Sequence, residues 1–327
     1  MVSDNVTHPA RRCASILAAA TLLLASCAPE EPAPSRRLGG TDAAHIVDVA
    51  WNNGNRLFAL YTRGSDDDPS LAEFTSDGEL RPFELVPAEF CANSHFFDLS
   101  TLPDGTLAAV VTCGETDERF AAKIDGQKLI GIASLGAPNR LVKWNPDMRT
   151  GWLELVTGQC RGMGLFQNGK ATPFPSYQTT DDLDLDLRAG FLNDGSCATP
   201  GRAGFADVGT DGKLYFLASV NAVGSFEDPD VPWQPLVFDP RSGQLRKFGP
   251  EFRTPYELAV VPNSDSVVVT GVKDGRRGAW LVSAGSRDVE LLASGPFYAV
   301  GAALDGRRIA IVHSNGNKDE VLEVEVK

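Results

Sequence analysis

The sequence is poor in positive charge, poor in histidine, and empty of the short motifs that announce a catalytic machine. Its 327 residues carry 30 Lys and Arg against 43 Asp and Glu, a formal net charge of −13 at pH 7. Binding nucleic acid without regard to sequence needs a basic footprint on phosphate, and docking on anionic lipid needs a basic patch. The charge argues against both and suits a surface kept soluble by self-repulsion. No two cysteines stand as C-x-x-C, so a structural zinc site lacks its usual ligand spacing. The G-x-S-x-G nucleophile elbow, the phosphate-cradling P-loop and the glycine fingerprint of a dinucleotide fold are all missing. Beyond residue 44 no long stretch has the 3.6-residue periodicity of an amphipathic helix.

What is present begins at the N-terminus. The apolar run "CASILAAATLLLA" (13–25) follows Arg11 and Arg12. It is too short to cross a bilayer as a resident helix and has the layout of a cleavable export signal. It closes on Leu24, Ala25, Ser26 and Cys27, which resembles the lipobox of bacterial lipoproteins. The resemblance implies diacylglycerol transfer to the Cys27 thiol, cleavage before it, and acylation of the new N-terminus. Residues 1–26 are then a signal peptide. Residues 27–43 are the lipidated cysteine and a tether, Pro-rich in "APEEPAPSRR", that holds the next domain off the membrane. The Arg pair lacks the rest of a twin-arginine signal. The expected address is a bacterial membrane, either the outer face of the cytoplasmic membrane or the outer membrane, according to the host. With Cys13 removed and Cys27 lipidated, Cys91, Cys113, Cys160 and Cys197 remain, and an even number in an exported chain reads as two disulfides.

Residues 44–327 are built on a repeat. "TLPDGTLAAVVTC" places a tight turn between two apolar runs, and "VDVAWNNGNRLFALYT", "LVKWNPDMRTGWLELVT", "FADVGTDGKLYFLASV", "LAVVPNSDSVVVTGV" and "AVGAALDGRRIAIVHS" repeat the design. Each unit but the last is followed by a weaker strand pair, and the last keeps one strand, "VLEVEV". A repeat of four strands is the signature of a β-propeller blade, since one such sheet buries both faces only against its neighbours. The fold class is therefore all-β, a six-bladed β-propeller after a signal peptide and tether. Residues near 37–44 are expected to pair with the last strand and close the ring. "LPDGTLAAVV" and "ALDGRRIAIVHSNGNKDEVLEV" resemble the TolB-type and WD-like propeller repeats, which implies a fold and no particular activity.

The topology sorts the loops. Cys91 precedes the inner strand of the second repeat and Cys113 ends the strand hairpinned against it, so the two are expected to bridge. Cys160 and Cys197 fall on the same face and form the second expected bridge, closing a loop of roughly 35 residues. That face also gathers the longest insertions, among them "GSDDDPS" and "QTTDDLDLDLRAGFLNDGSC". It is the candidate ligand face, since loops on a rigid scaffold carry function. His45, His95 and His313 lie toward it, and Trp233, beside Pro232 and after "EDPD", is the candidate exposed aromatic. Trp51, Trp144, Trp152 and Trp280 read as packing between blades. In "DDLDLDL", Asp182, Asp184 and Asp186 share one strand face and could ligate calcium, but no EF-hand spacing follows.

Asp48, Asp98, Asp207 and Glu257 fall on the innermost strands and are candidate ligands for a divalent cation in the central channel. Six-bladed lactonases of the gluconolactonase and paraoxonase kind hold a metal with such residues. Counted back from the turn, Asp98 and Glu257 align while Asp48 and Asp207 do not. Two functions follow. The first is a non-enzymatic binding or scaffolding propeller without cofactor, anchored through Cys27 and meeting an envelope protein or small ligand but no nucleic acid. The second is a metal-dependent hydrolase or lactonase using the channel carboxylates.

Overall fold

The structure is a computed structural model that describes residues 35–41, 45–64, 68–86, 88–91, 93–114, 118–136, 142–157, 160–179, 183, 187, 202–219, 231–286, 288–314 and 319–326. Among these residues every regular element is a β-strand, and no helix is long and apolar enough to cross a membrane.

The apolar runs and turn dipeptides fold locally, as hairpins and meanders. The first meander is β2 (His45–Trp51), β3 (Leu57–Thr62), β4 (Ser70–Phe74) and β5 (Leu80–Pro82). The second is β6 (Ser94–Thr101), β7 (Leu107–Cys113), β8 (Arg119–Asp125) and β9 (Lys128–Ser134), and the third is β10 (Val142–Trp144), β11 (Thr150–Thr157), β12 (Cys160–Gln167) and β13 (Lys170–Pro173). After β14 (Gln178–Thr179) comes a fourth, β15 (Arg202–Val208), β16 (Leu214–Ser219), β17 (Pro232–Asp239) and β18 (Gln244–Lys247). The fifth is β19 (Phe252–Val261), β20 (Ser266–Lys273), β21 (Arg276–Ser283) and β22 (Val289–Ser294). The chain ends with β23 (Phe297–Ala302), β24 (Arg308–Ser314) and β25 (Asp319–Glu325). Among the described residues four sheets have four strands; a fifth has nine, because Pro232 and Trp233 of β17 pair with Arg253 and Phe252 of β19 and link two meanders, with β14 added beside β18.

Glycine sets the turns where no side chain fits. Between β6 and β7, Gly105 has φ of +80°, and a Cβ there would stand 2.4 Å from Cβ of Asn53. Only glycine takes that conformation cheaply, and the close approach brings the turns of two meanders together.

Each hydrophobic cluster joins two meanders rather than filling one. Phe58 and Leu60 of the first pack with Leu99 and Val111 of the second. Val110 continues to Trp144 and Leu153 of the third, and Trp152 to Phe216 and Phe238 of the fourth. Tyr215 and Trp233 meet Phe252 and Trp280 of the fifth, Val268 meets Ile309 and Ile311 of β24, and Val312 and Val321 return to Val49 and Trp51 of the first. Each fully buried Leu, Val or Phe contributes about 1.5–3 kcal/mol relative to exposure, so these seams hold the ring. Successive sheets packed in a closed circuit make a β-propeller, with β2, β6, β10, β15, β19 and β23 all bordering the axial cavity.

The closing strand is found a little earlier than expected. β1 (Ser35–Thr41) pairs antiparallel with β25, from Ser35 opposite Val324 to Thr41 opposite Asp319. Part of the stretch that reads as tether is thus an outer strand of a sheet. It crosses the β4–β5 turn so closely that a Cβ on Gly39 would stand 2.1 Å from the carbonyl oxygen of Gly78. The Cys91–Cys113 bridge is formed, with Cα atoms 5.0 Å apart. Cys27, Cys197 and the side chain of Cys160 lie outside the described residues, as do Asp182, Asp184 and Asp186.

Candidate functional site

The inner strands converge on the axis, and a β-bulge aims each carboxylate there. Strand register shifts between Ile46 and Asp48, Phe96 and Asp98, Gly204 and Asp207, and Arg253 and Glu257. An extra residue at a bulge redirects the next side chain, and in all four strands that side chain is acidic. The register corrects the count made from the turns. Asp48 pairs with Leu60 and Asp98 with Val110, each three pairs in from the pair that closes its hairpin, Trp51 with Leu57 and Thr101 with Leu107. Asp48 and Asp98 therefore occupy one repeat position, whereas Glu257 lies four pairs in and Asp207 only one.

These carboxylates are engaged with backbone. Asp48 accepts N–H bonds from Val49 at 2.8 Å and, across the seam, from Leu99 at 2.8 Å. Asp207 repeats the arrangement with Val208 at 2.8 Å and Val260 of the fifth meander at 2.8 Å. Asp98 and Glu257 each accept the N–H of the residue that follows, Leu99 at 3.1 Å and Leu258 at 3.0 Å. Two of the four thus tie neighbouring meanders at the axis.

Among them lies Lys143 of β10, a residue that the pattern of the sequence did not single out. Burial works against its charge, but Asp98, Asp207, Glu257 and Asp48 together outweigh it and hold the ammonium protonated well above its ordinary range. Burial raises the Asp48 carboxyl well above the usual range, and the charge and hydrogen bond of Asp98 raise it further. Burial also raises Asp207, against the opposing pull of Lys143 and of the Val260 and Val208 N–H groups. Glu257 is pushed up to about 7, again by burial first. These side chains are half-buried.

The axial cavity they border has about 60 Å³, with a second space of about 80 Å³ beyond it toward Pro146, Thr210 and Leu304. At about 30 Å³ per molecule the first holds roughly two waters. Small-molecule sites run to about 300–1,000 Å³, several times the volume of this cavity.

A divalent cation here would share the space with Lys143 and with Asp48 and Asp207, whose carboxylates each accept two backbone donors. Among the described residues no three His, Cys, Asp or Glu side chains form a metal-binding group.

The other candidates separate. His45, exposed at the start of β2, faces the buried Asp319 at 3.5 Å, and that same Asp319 oxygen accepts the Ile46 N–H at 2.8 Å. His95 pairs with Asp68 at 2.5 Å, while His313 packs against Phe297 with ring centroids 5.3 Å apart. All three stand at the predicted end of their strands, but each answers a different neighbour. Trp233 overturns the expectation of an exposed aromatic. It is 0% exposed, pairs with Phe252 across the β17–β19 link, and meets the Phe205 ring edge-on at 5.8 Å. The proline and acidic residues before it look like a loop, but pairing with β19 draws Trp233 into the seam between meanders.

No protein-family model matches the chain, and no curated protein matches it in sequence. Solved structures match in shape. One named for TolB from Agrobacterium tumefaciens is 14% identical, covers 86% of this chain and 91% of its own, and superposes with a TM-score of 0.51. Hydrazine synthase from Kuenenia stuttgartiensis is 13% identical, covers 85% of this chain and 83% of its own, and also has a TM-score of 0.51. At such identities the likeness is one of fold, and the fold is the β-propeller.

Proposed function

We propose that this chain is an exported, lipid-anchored propeller of six blades that acts as a non-enzymatic binding or scaffolding module at the bacterial cell envelope. In this reading the nine-stranded sheet is two blades linked by the short β17–β19 pairing, and β1 completes the last blade. Cys27 carries the lipid, and the face that bears Cys91–Cys113, His45, His95 and His313 meets an envelope protein or small ligand. The observation that carries the reading is the channel. Its carboxylates brace adjacent meanders and surround a lysine in a space of about 60 Å³, which suits a rigid hub better than a reaction chamber.

The test has two arms. In a bacterium that makes lipoproteins, the wild type is expected in the membrane fraction with radiolabelled fatty acid attached, and Cys27→Ala is expected to lose both. The purified chain is expected to turn over no member of a lactone panel with calcium present. An unlabelled wild type would remove the anchor, and lactone turnover abolished by Asp48→Asn would replace the scaffold with an enzyme.

A further inference from the structure

Opposite the cystine-bearing loops, where the hairpin turns gather, the third and fourth meanders part around a cleft of about 400 Å³ whose lining includes Asn145, Trp152, Gln167 and Arg241. Gln167 ends β12, and the turn that follows it, Asn168 and Gly169, is one of three Asn-Gly dipeptides in the chain. A second, Asn53 and Gly54, lies in the turn between β2 and β3, and the third, Asn315 and Gly316, falls outside the described residues. An asparagine before glycine is chemically labile, because no side chain shields the following backbone nitrogen from the carboxamide.

We propose that Asn168 is a site of spontaneous covalent modification, deamidating through a succinimide to aspartate and isoaspartate, while the fold protects the same dipeptide at Asn53. In the reaction the Gly169 nitrogen gives its proton to solvent base and attacks Cγ of Asn168. A C–N bond closes the five-membered ring, and the side-chain nitrogen takes up a proton and leaves as ammonia. Water then adds to one of the two ring carbonyls and breaks its bond to nitrogen, which leaves aspartate or isoaspartate. One water is consumed and one ammonia released, with no redox partner and no cofactor.

The two sites differ first in what holds the nucleophile. Gly54 donates its N–H to Asn52 Oδ1 at 3.0 Å, so that nitrogen is engaged. Among the described residues no hydrogen bond holds the Gly169 N–H or the Asn168 side chain. They differ next in room to move. Attack brings Cγ and nitrogen to about 3–3.5 Å in line, and the turn must shift to allow it. Asn53 is clasped by the second meander: its N–H donates to the Gly105 carbonyl at 2.7 Å, and a Cβ on Gly105 would stand 2.4 Å from its own. A Cβ on Gly169 would meet no atom within 4 Å. They differ last in the cost of opening. The Asn168 turn, with φ of +54° and +75°, leads into β13, an outermost strand whose four residues are all exposed. The Asn53 turn leads into β3, which is almost wholly buried. Segments with few buried contacts open locally at the least cost. Both dipeptides are themselves exposed, so access of water does not separate them. The product at Asn168 carries a new carboxylate next in the chain to Gln167 of the cleft, and isoaspartate also lengthens the turn by one backbone atom.

The test is to age the purified full chain at pH 8, folded and in parallel unfolded in guanidinium. Both dipeptides are followed by peptide mass spectrometry with fragmentation that distinguishes isoaspartate. In the folded chain Asn168 is expected to convert at least about tenfold faster than Asn53, the factor that about 1.4 kcal/mol of difference in opening supplies. In guanidinium the two rates are expected to converge, because the reacting dipeptide is the same. Asn168→Gln, which would have to close a less favourable six-membered ring, is expected to lose the early product. Four results would overturn the proposal: equal rates in the folded chain, a faster Asn53, a folded chain in which neither site converts, or a difference that persists unchanged in guanidinium. The turn lies apart from the cystine-bearing face, so failure here would leave the scaffold reading untouched.

Discussion

The axial channel and the seam cleft are both polar hollows in one ring, and they treat their polar groups in opposite ways. In the channel Asp48 and Asp207 each hold two backbone N–H groups, and the charges of all four acids keep Lys143 protonated. In the cleft, Trp152 and Asn145 keep a donor and an acceptor that no described residue meets. Both positions arise from the same repeat, since inner strands and their turns build both. The richer cluster of charges is the less available one. The two hollows differ in whether their polar atoms are already paired, and the number of acids does not decide it.

Both hollows presuppose a closed ring, so the largest effect is expected from opening it. Deleting residues 35–41 removes six register pairs between β1 and β25 and the contact of Leu38 with the adjoining core. Calorimetry is expected to show a melting temperature lower by about 10 °C, on roughly 0.5–1 kcal/mol per lost pair. An unchanged value would mean that the ring closes without that strand.

Lys143→Met sharpens the contrast next. It leaves four acids facing one another without a cation, and removing one partner of a buried charge cluster costs about 3–5 kcal/mol. Urea unfolding should show a loss greater at pH 8 than at pH 5, because protonation relieves the repulsion. Arg241→Ala at the cleft rim should stay within about 0.5 kcal/mol. Equal losses at the two sites would erase the distinction.

Glu257 supplies a pH signature. Its folded pKa, about 7, lies above its ordinary 4.5, so the folded state holds the proton more tightly. Stability from this group is therefore fully present below about 4.5 and declines as pH rises through about 7. The shift corresponds to a change on the order of 3 kcal/mol, and the raised Asp48 and Asp207 act in the same direction. Glu257→Gln is expected to flatten the slope and to be more stable than wild type at pH 8. A wild type that gains stability from pH 5 to pH 8 would contradict this electrostatic picture. The smallest effect belongs to the cleft rim: Gln167→Ala, at an exposed turn position, should change unfolding free energy by about 0.5 kcal/mol or less.

Much of this was legible beforehand. Asp-Gly and Asn-Gly turns between apolar runs foretold the meanders, the missing outer strand foretold β1 against β25, and hairpin geometry foretold Cys91–Cys113. The channel acids were also visible, because alternation along an inner strand leaves an acid nowhere else to go. Their alignment was not, since bulges such as that between Ile46 and Asp48 break any count made from the turn. Lys143 was hidden in a strand of three residues, too short for alternation to reveal its face. Trp233 was misplaced because its local composition resembles a loop, while its burial depends on a strand about twenty residues away. The cleft had no local signature at all. Asn145, Gln167 and Arg241 come from three different turns and meet only when two meanders pack.

The most direct test of the claim that the channel is a self-paired hub is to melt the purified chain with calcium, with zinc and with a chelator. A ligand that binds the folded state raises the melting temperature in proportion to its occupancy. The account expects all three curves to coincide within about 1 °C on the scale that relates stability to melting temperature. A saturable rise of several degrees with either metal, lost on Asp48→Asn, would contradict it.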